Sequence, residues 1–117
     1  MKIFTEADLP VEQAASRFAA LGSEQRLIVL TTLVRAGPKG LSIGELGERT
    51  GIQGSTLTHH VKILAQADLV EQQKKGRSII CAAVAYDRVQ ALSAYILKEC
   101  CAESGSPHKE HLSDRSK

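Results

Sequence analysis

The stretch Leu41 to Leu69, LSIGELGERTGIQGSTLTHHVKILAQADL, decides the fold. In its first half Ile43 and Leu46 share one face, and Gly51 with Ile52 closes the segment. In its second half Leu57, Val61 and Leu64 recur at the spacing of one helical face, with Ser55, Thr58, His59 and Lys62 on the other. Two short amphipathic helices meeting at a glycine-containing turn read as a helix-turn-helix, with the second helix over roughly Gly54 to Ala67. Its apolar side holds it to the body. Its polar side, short hydroxyls, an imidazole and a cation, suits base edges and phosphates in the major groove of double-stranded DNA. Gln53 and Thr56, at the start of that helix, join the expected DNA contacts. The bland alternative for these side chains is a solvated face. His60 falls nearer the Val61 side and reads as a packed, hydrogen-bonded residue.

Upstream, residues 1–9 read as an arm. Pro10 suits a first helical position, and Val11, Ala14, Ala15, Phe18 and Leu21 make an apolar stripe ending at Gly22. Ser23 is placed to cap a second helix with Leu27, Leu30, Leu33 and Val34 facing inward. The sequence Gly37-Pro38-Lys39-Gly40 breaks that helix. Ser42 followed by Glu45 is the pattern of a capping box for the next.

Downstream, the period changes from helical to alternating. Leu69 to Gln73 and Ser78 to Val84 read as the strands of a hairpin, with Lys74-Lys75-Gly76-Arg77 as its turn. Lys74, Lys75 and Arg77 make a basic prong, suited to phosphate contact beside a helix-turn-helix; the alternative is a solubilising turn. A last helix runs from Tyr86 to about Cys101, with Val89, Leu92, Ile96 and Cys100 in one stripe, and residues 102–117 read as a disordered tail. The predicted fold is mainly α with a small β-hairpin: a winged helix-turn-helix domain over residues 10–101. The first and last helices, with no further layer to cover them, suggest a homodimer face. Two-fold symmetry then sets two reading helices about 34 Å apart on one duplex.

The bulk properties fit this. A chain of 117 residues makes one domain, and 43% hydrophobic with 24% charged residues is ordinary for a globular protein. The net charge is only +2, so DNA affinity must come from local placement of cations. No signal peptide and no apolar run long enough for a bilayer is visible, which sets a cytoplasmic expectation. Paired catalytic carboxylates, a phosphate-binding glycine loop and a Ser/His/Asp arrangement are all missing, so no enzyme is expected. Gly51-x-x-Gly54 matches the loop of KH modules, but the hairpin and the helix order do not suit that RNA-binding fold.

Residues 17–34, 42–64 and 65–84, together with the closing KECC, resemble the ArsR/SmtB family of bacterial metal- and metalloid-responsive repressors. Its ALG-x-x-x-RL signature appears as Ala20-Leu21-Gly22 followed by Arg26-Leu27. The resemblance implies a dimeric repressor that sits on operator DNA and leaves when its inducer binds. The Cys-x-Cys site of the best-described arsenic sensors is absent, because Leu41-Ser42-Ile43-Gly44 stands there. Cys100 and Cys101 instead match a branch whose vicinal cysteines close the last helix, implying As(III) or a related trivalent metalloid as inducer. Where that branch can carry a third thiol, this chain has Ser104, Ser106 and His108. The zinc-sensing pattern fits poorly, since Asp87 is followed by Gln90 where a histidine belongs, and His108 and His111 lie in the tail.

Thiolates select soft ions, so Cys81, Cys100 and Cys101 are the candidate ligands. Adjacent residues diverge by about 100° around a helix, and the pair converges only where the helix frays. Cys81 joins it only across a dimer with antiparallel last helices; otherwise it is a small core residue among Ile79, Ile80, Ala82 and Ala83. The competing function on the same scaffold is a thiol redox or persulfide switch, with Cys81 resolving an oxidised Cys100 or Cys101.

Overall fold

The boundaries of the helices follow from local capping chemistry. In the computed structural model, which describes residues 9–84 and 86–104, the Ser23 hydroxyl accepts from the Arg26 amide and starts helix α2, Glu24–Ala36. Ser42 and Glu45 form the reciprocal capping box that starts helix α3, Ile43–Thr50: the Glu45 amide donates to the Ser42 hydroxyl at 3.1 Å, and the Ser42 amide donates to Glu45 Oε1 at 2.9 Å. Gly51, left-handed at φ 75°, ends α3 and turns the chain into helix α4, Gly54–Gln66. A left-handed φ is nearly free only for glycine, which is why this corner carries one. Ahead of these lies helix α1, Val11–Leu21, with extended Pro10 as its cap rather than its first residue; helix α5, Tyr86–Leu97, comes last.

Between α4 and α5 stand strands β2, Val70–Lys75, and β3, Ser78–Ala83, in antiparallel register with Lys75 opposite Ser78. The turn is therefore only Gly76-Arg77, with Gly76 at φ 61°; Lys74 and Lys75 belong to the strand and alternate across its faces. A third strand, β1, Leu41–Ser42, was not expected and pairs with the other edge of β3, giving the order β1-β3-β2. Two residues are too short to show any period. The approach depends on Gly40, where a Cβ would fall on the Cys81 carbonyl.

The core is built where these elements converge. Val29, Leu30 and Leu33 of α2, Leu46 of α3 and Leu57, Val61 and Leu64 of α4 are buried together with Leu69, Val70 and Cys81. Two stripes differ from expectation. On α1 the buried residues are Ala14, Arg17 and Ala20, while Val11 is 61% exposed and Ala15 is exposed. The two alanines let α1 lie close, and Arg17 is turned inward to reach Asp68. On α2, Leu30 and Leu33 are buried as expected, but Leu27 and Val34 stay 46% and 49% exposed and Val29 takes their place. This helix is apolar around most of its circumference, so periodicity does not choose its inner face. Most of the expected arm and tail, with His108 and His111, lies outside the described residues. No helix of the described residues is long and apolar enough to cross a membrane.

Candidate nucleic-acid interface and thiol pair

Helix α4 presents two chemically different sides because its sequence alternates them. Leu57, Val61 and Leu64 are at most 1% exposed, whereas Ser55, Thr56, Thr58, His59 and Lys62 are all exposed, as is Gln53 at the helix start. Gln53 makes no side-chain cap, so the first amides of α4 point outward without one. Exposed amides at a helix N-terminus carry partial positive charge that suits a phosphate. An open groove lined by Gly47, Gly51, Gly54, Glu48, Gln53 and Thr58 runs along the corner between α3 and α4. Glycines there let a backbone come close. Lys74, Lys75 and Arg77 are exposed along the hairpin, as a wing requires, though spread over both its faces.

The fourth inward residue of α4 is His60, 9% exposed. Its Nε2 lies 2.8 Å from Gln25 Oε1, and its Nδ1 lies 3.3 Å from Arg26 Nη1. Burial first, then the Arg26 guanidinium and then His59, hold the ring's proton affinity below the ordinary histidine range. Arg26 is itself fixed, donating from Nε to the Ala20 carbonyl at 2.6 Å. This gives the ALG-x-x-x-RL signature a physical reading: its arginine ties the end of α1 and the middle of α4 to the first turn of α2. A second polar node was not visible in the sequence. Asp68, at φ 66° just past α4, accepts from Arg17 of α1 at 3.4 Å and from Arg88 of α5 at 2.9 Å. The only hint was Arg17 at a helical position shared with Ala14 and Ala20.

The thiols divide into two environments. Cys81 is fully buried in the central strand, between Leu41 and Gln72, and burial pushes its thiol pKa up. Helix α5 ends at Leu97, four residues short of the expected Cys101, and three-residue turns carry the chain from Lys98 to Ser104. With Cys101 at φ 61°, the Sγ atoms of Cys100 and Cys101 come to 3.5 Å of each other. This is the convergence expected of a frayed end, and it lies well beyond the about 2.05 Å of a disulfide. Burial, then the hydrogen bond and charge of Cys101, raise the pKa of Cys100. Among the described residues no group of three or more His, Cys, Asp or Glu is placed to hold a metal ion, so Cys81 does not join the pair within one chain.

Comparisons with known proteins agree with the helix-turn-helix. A family model described as a helix-turn-helix domain matches residues 21–73. The chain is 34% identical over 100 residues to the HTH-type transcriptional regulator NmtR of Mycobacterium tuberculosis, spanning 86% of this chain and 72% of that protein. The structure matches that of an ArsR-like transcriptional regulator from Rhodococcus sp. RHA1 with a TM-score of 0.64 at 29% identity, over 89% of this chain and 90% of that one. It also shares its fold, at a TM-score of 0.62 and 22% identity over 84% and 90% of the chains, with the homodimeric winged helix-turn-helix domain Mb0332 from Mycobacterium bovis, a possible ArsR-family regulator.

Proposed function

This chain belongs to the ArsR-like HTH-type transcriptional regulators, and from that membership and its thiol pair we propose a repressor that a trivalent metalloid releases from its operator. It is a DNA-binding regulator rather than an enzyme. In the proposed complex α4 enters the major groove, with Gln53, Ser55, Thr56, Thr58, His59 and Lys62 as its contacts, and Lys74, Lys75 and Arg77 of the wing bind phosphate.

The observation that carries the inducer assignment is the 3.5 Å separation of Cys100 and Cys101 Sγ. With bonds of about 2.3 Å, as in metal thiolates, that bite subtends about 100° at the bound centre, whereas a tetrahedral ion needs roughly 3.8 Å. A pyramidal As(III) or Sb(III) centre, inorganic or organic, fits the narrower angle, and soft thiolates favour it. Two hydroxides of the metalloid leave with the two thiol protons as water, and the two new sulfur bonds close a chelate at the end of α5. A second copy of the chain is the expected cover for the exposed apolar side chains of α1 and α5, Val11, Tyr86, Ile96 and Leu97. A chelate at that edge changes how the two copies pack, and with it the spacing of the two α4 helices. The reduced thiols this needs belong to a cytoplasmic setting. Cys81, buried and raised in pKa, serves as a core residue; a ligand role across the dimer is the alternative.

Titrating the reduced protein on operator DNA tests this. Arsenite or an organoarsenical releases the wild type, Cys100→Ser and Cys101→Ser variants stay bound, and Cys81→Ala still responds. Loss of response in Cys81→Ala instead establishes a shared three-thiol site, and response in all three variants rejects the thiol site. The thiol contact also favours a second reading, a redox switch. Closing that pair to a disulfide is strained, because neighbouring Cα atoms lie about 3.8 Å apart against the usual minimum of about 4.4 Å. Release by peroxide or persulfide but not by arsenite selects that reading.

A further inference from the structure

The middle of α4 carries a buried imidazole that contact with DNA does not explain. A guanidinium only donates hydrogen bonds, so the 3.3 Å contact with Arg26 Nη1 requires a lone pair on His60 Nδ1. A neutral ring then keeps its proton on Nε2, which donates to Gln25 Oε1 at 2.8 Å. The surroundings thus specify both the charge and the tautomer of this ring.

We propose that neutral His60, in its Nε2–H form, is the residue that positions the recognition helix against α2, and that protonating it draws α4 out of operator-binding geometry. The proposal rests on α4 being the recognition helix. A second proton would sit on Nδ1, facing the guanidinium. The bond would be lost, and two cations would stand 3.3 Å apart at a part-buried junction. Arg26 has no easy retreat, because its Nε is held by the Ala20 carbonyl and its amide by Ser23. Relief therefore comes from widening the gap between α4 and the first turn of α2.

No carboxylate among the described residues is hydrogen-bonded to the ring to stabilise the charged form. On α2, Arg26 faces it and Glu24 is exposed. Its own helix offers His59, with ring centroids 5.9 Å apart, and exposed Lys62. From α1, Arg17 pairs with Asp68; on α3, Glu45 serves the capping box while Glu48 and Arg49 are exposed; on β2, Glu71 is exposed. Burial, Arg26 and His59 all act to keep the ring neutral. Below about pH 6.5 the unfolded chain therefore binds more protons than the folded one, and the junction loses stability as pH falls.

The test must separate His60 from its exposed neighbour, since acid charges His59 too and strengthens its attraction to phosphate. Operator affinity is measured at about pH 7.5 and about pH 5.5 for the full-length His59→Gln and His59→Gln/His60→Gln proteins. Glutamine does not titrate, and its amide offers both a donor and an acceptor. The expected result is that acid costs the His60-bearing protein about tenfold more affinity than the double variant. Equal losses overturn the proposal. A second readout needs no variant and no DNA: ¹⁵N spectra of the histidine-labelled wild type should show His60 protonated at Nε2 and bare at Nδ1, with a midpoint below the ordinary 6.5. The other tautomer, or a midpoint at or above that value, overturns it. If the ring behaves as expected but the wild type binds no operator at neutral pH, the assignment of α4 fails and the proposal fails with it.

Discussion

Helices α4 and α5 are of similar length, 13 and 12 residues, yet one is finished within a single subunit and the other is not. On α4 Leu57, Val61 and Leu64 are buried, the inward histidine has a partner on each nitrogen, and the outward side is uniformly polar. On α5 only Ala91 and Leu92 are buried, while Tyr86 and Ile96 stand 75% and 67% exposed and the helix unravels at Leu97. A reading head must keep its shape whether or not DNA is present. In the proposed function α5 both senses and dimerises, and such a helix gains from having its packing completed by something else. The Arg17–Asp68–Arg88 node lies between the two, joining the helices of the open end to the exit of α4.

Substitutions can break or sharpen this contrast, and their expected cost to the fold falls as they move from the finished end to the open one. Leu64→Ala, at a fully buried position, should destabilise the subunit by about 2–5 kcal/mol in denaturant unfolding, through lost burial and the cavity left behind. A value below about 1 kcal/mol would mean that this end is as loose as α5. Ser42→Ala removes one half of the capping box and should cost about 1 kcal/mol by the same measurement. Asp68→Asn keeps a residue that tolerates φ 66° but removes the charge shared by Arg17 and Arg88. Because the carboxylate is half exposed, the loss should be about 0.2–1 kcal/mol, shrinking in high salt. Ile96→Glu should change subunit stability by less than about 0.5 kcal/mol yet shift the sedimenting species from dimer to monomer. A dimer that survives it would place the interface elsewhere.

Most of the architecture was legible from local chemistry. The capping box at Ser42 and Glu45, the glycine turn at Gly51 and the two-sided pattern of α4 are all read within a few residues of chain, and the structure keeps each of them. The exposed side of α4 was legible for the same reason: alternation along one helix needs no knowledge of any other. Apart from element ends, the misreadings fall where the deciding neighbour is distant in sequence. Leu27 and Val34 match an inward stripe on a helix with apolar residues on several sides, and only packing against α3 and α4 selects Val29 instead. The two-residue β1 exists because Gly40 lets it reach β3 some forty positions later.

The sequence by itself determined the order of helices and wing, the polar outer face of α4 and the presence of two adjacent thiols. These are properties of composition and period, which a linear reading contains. Only the tertiary structure decided that Arg26 and Gln25 meet the two ring nitrogens of His60, that Asp68 gathers arginines from α1 and α5, and that Cys81 is enclosed while Cys100 and Cys101 turn toward each other. Each depends on the distance between groups carried by separate elements or on the conformation at a helix end. Both arise from packing and burial, which act across the fold rather than along the chain.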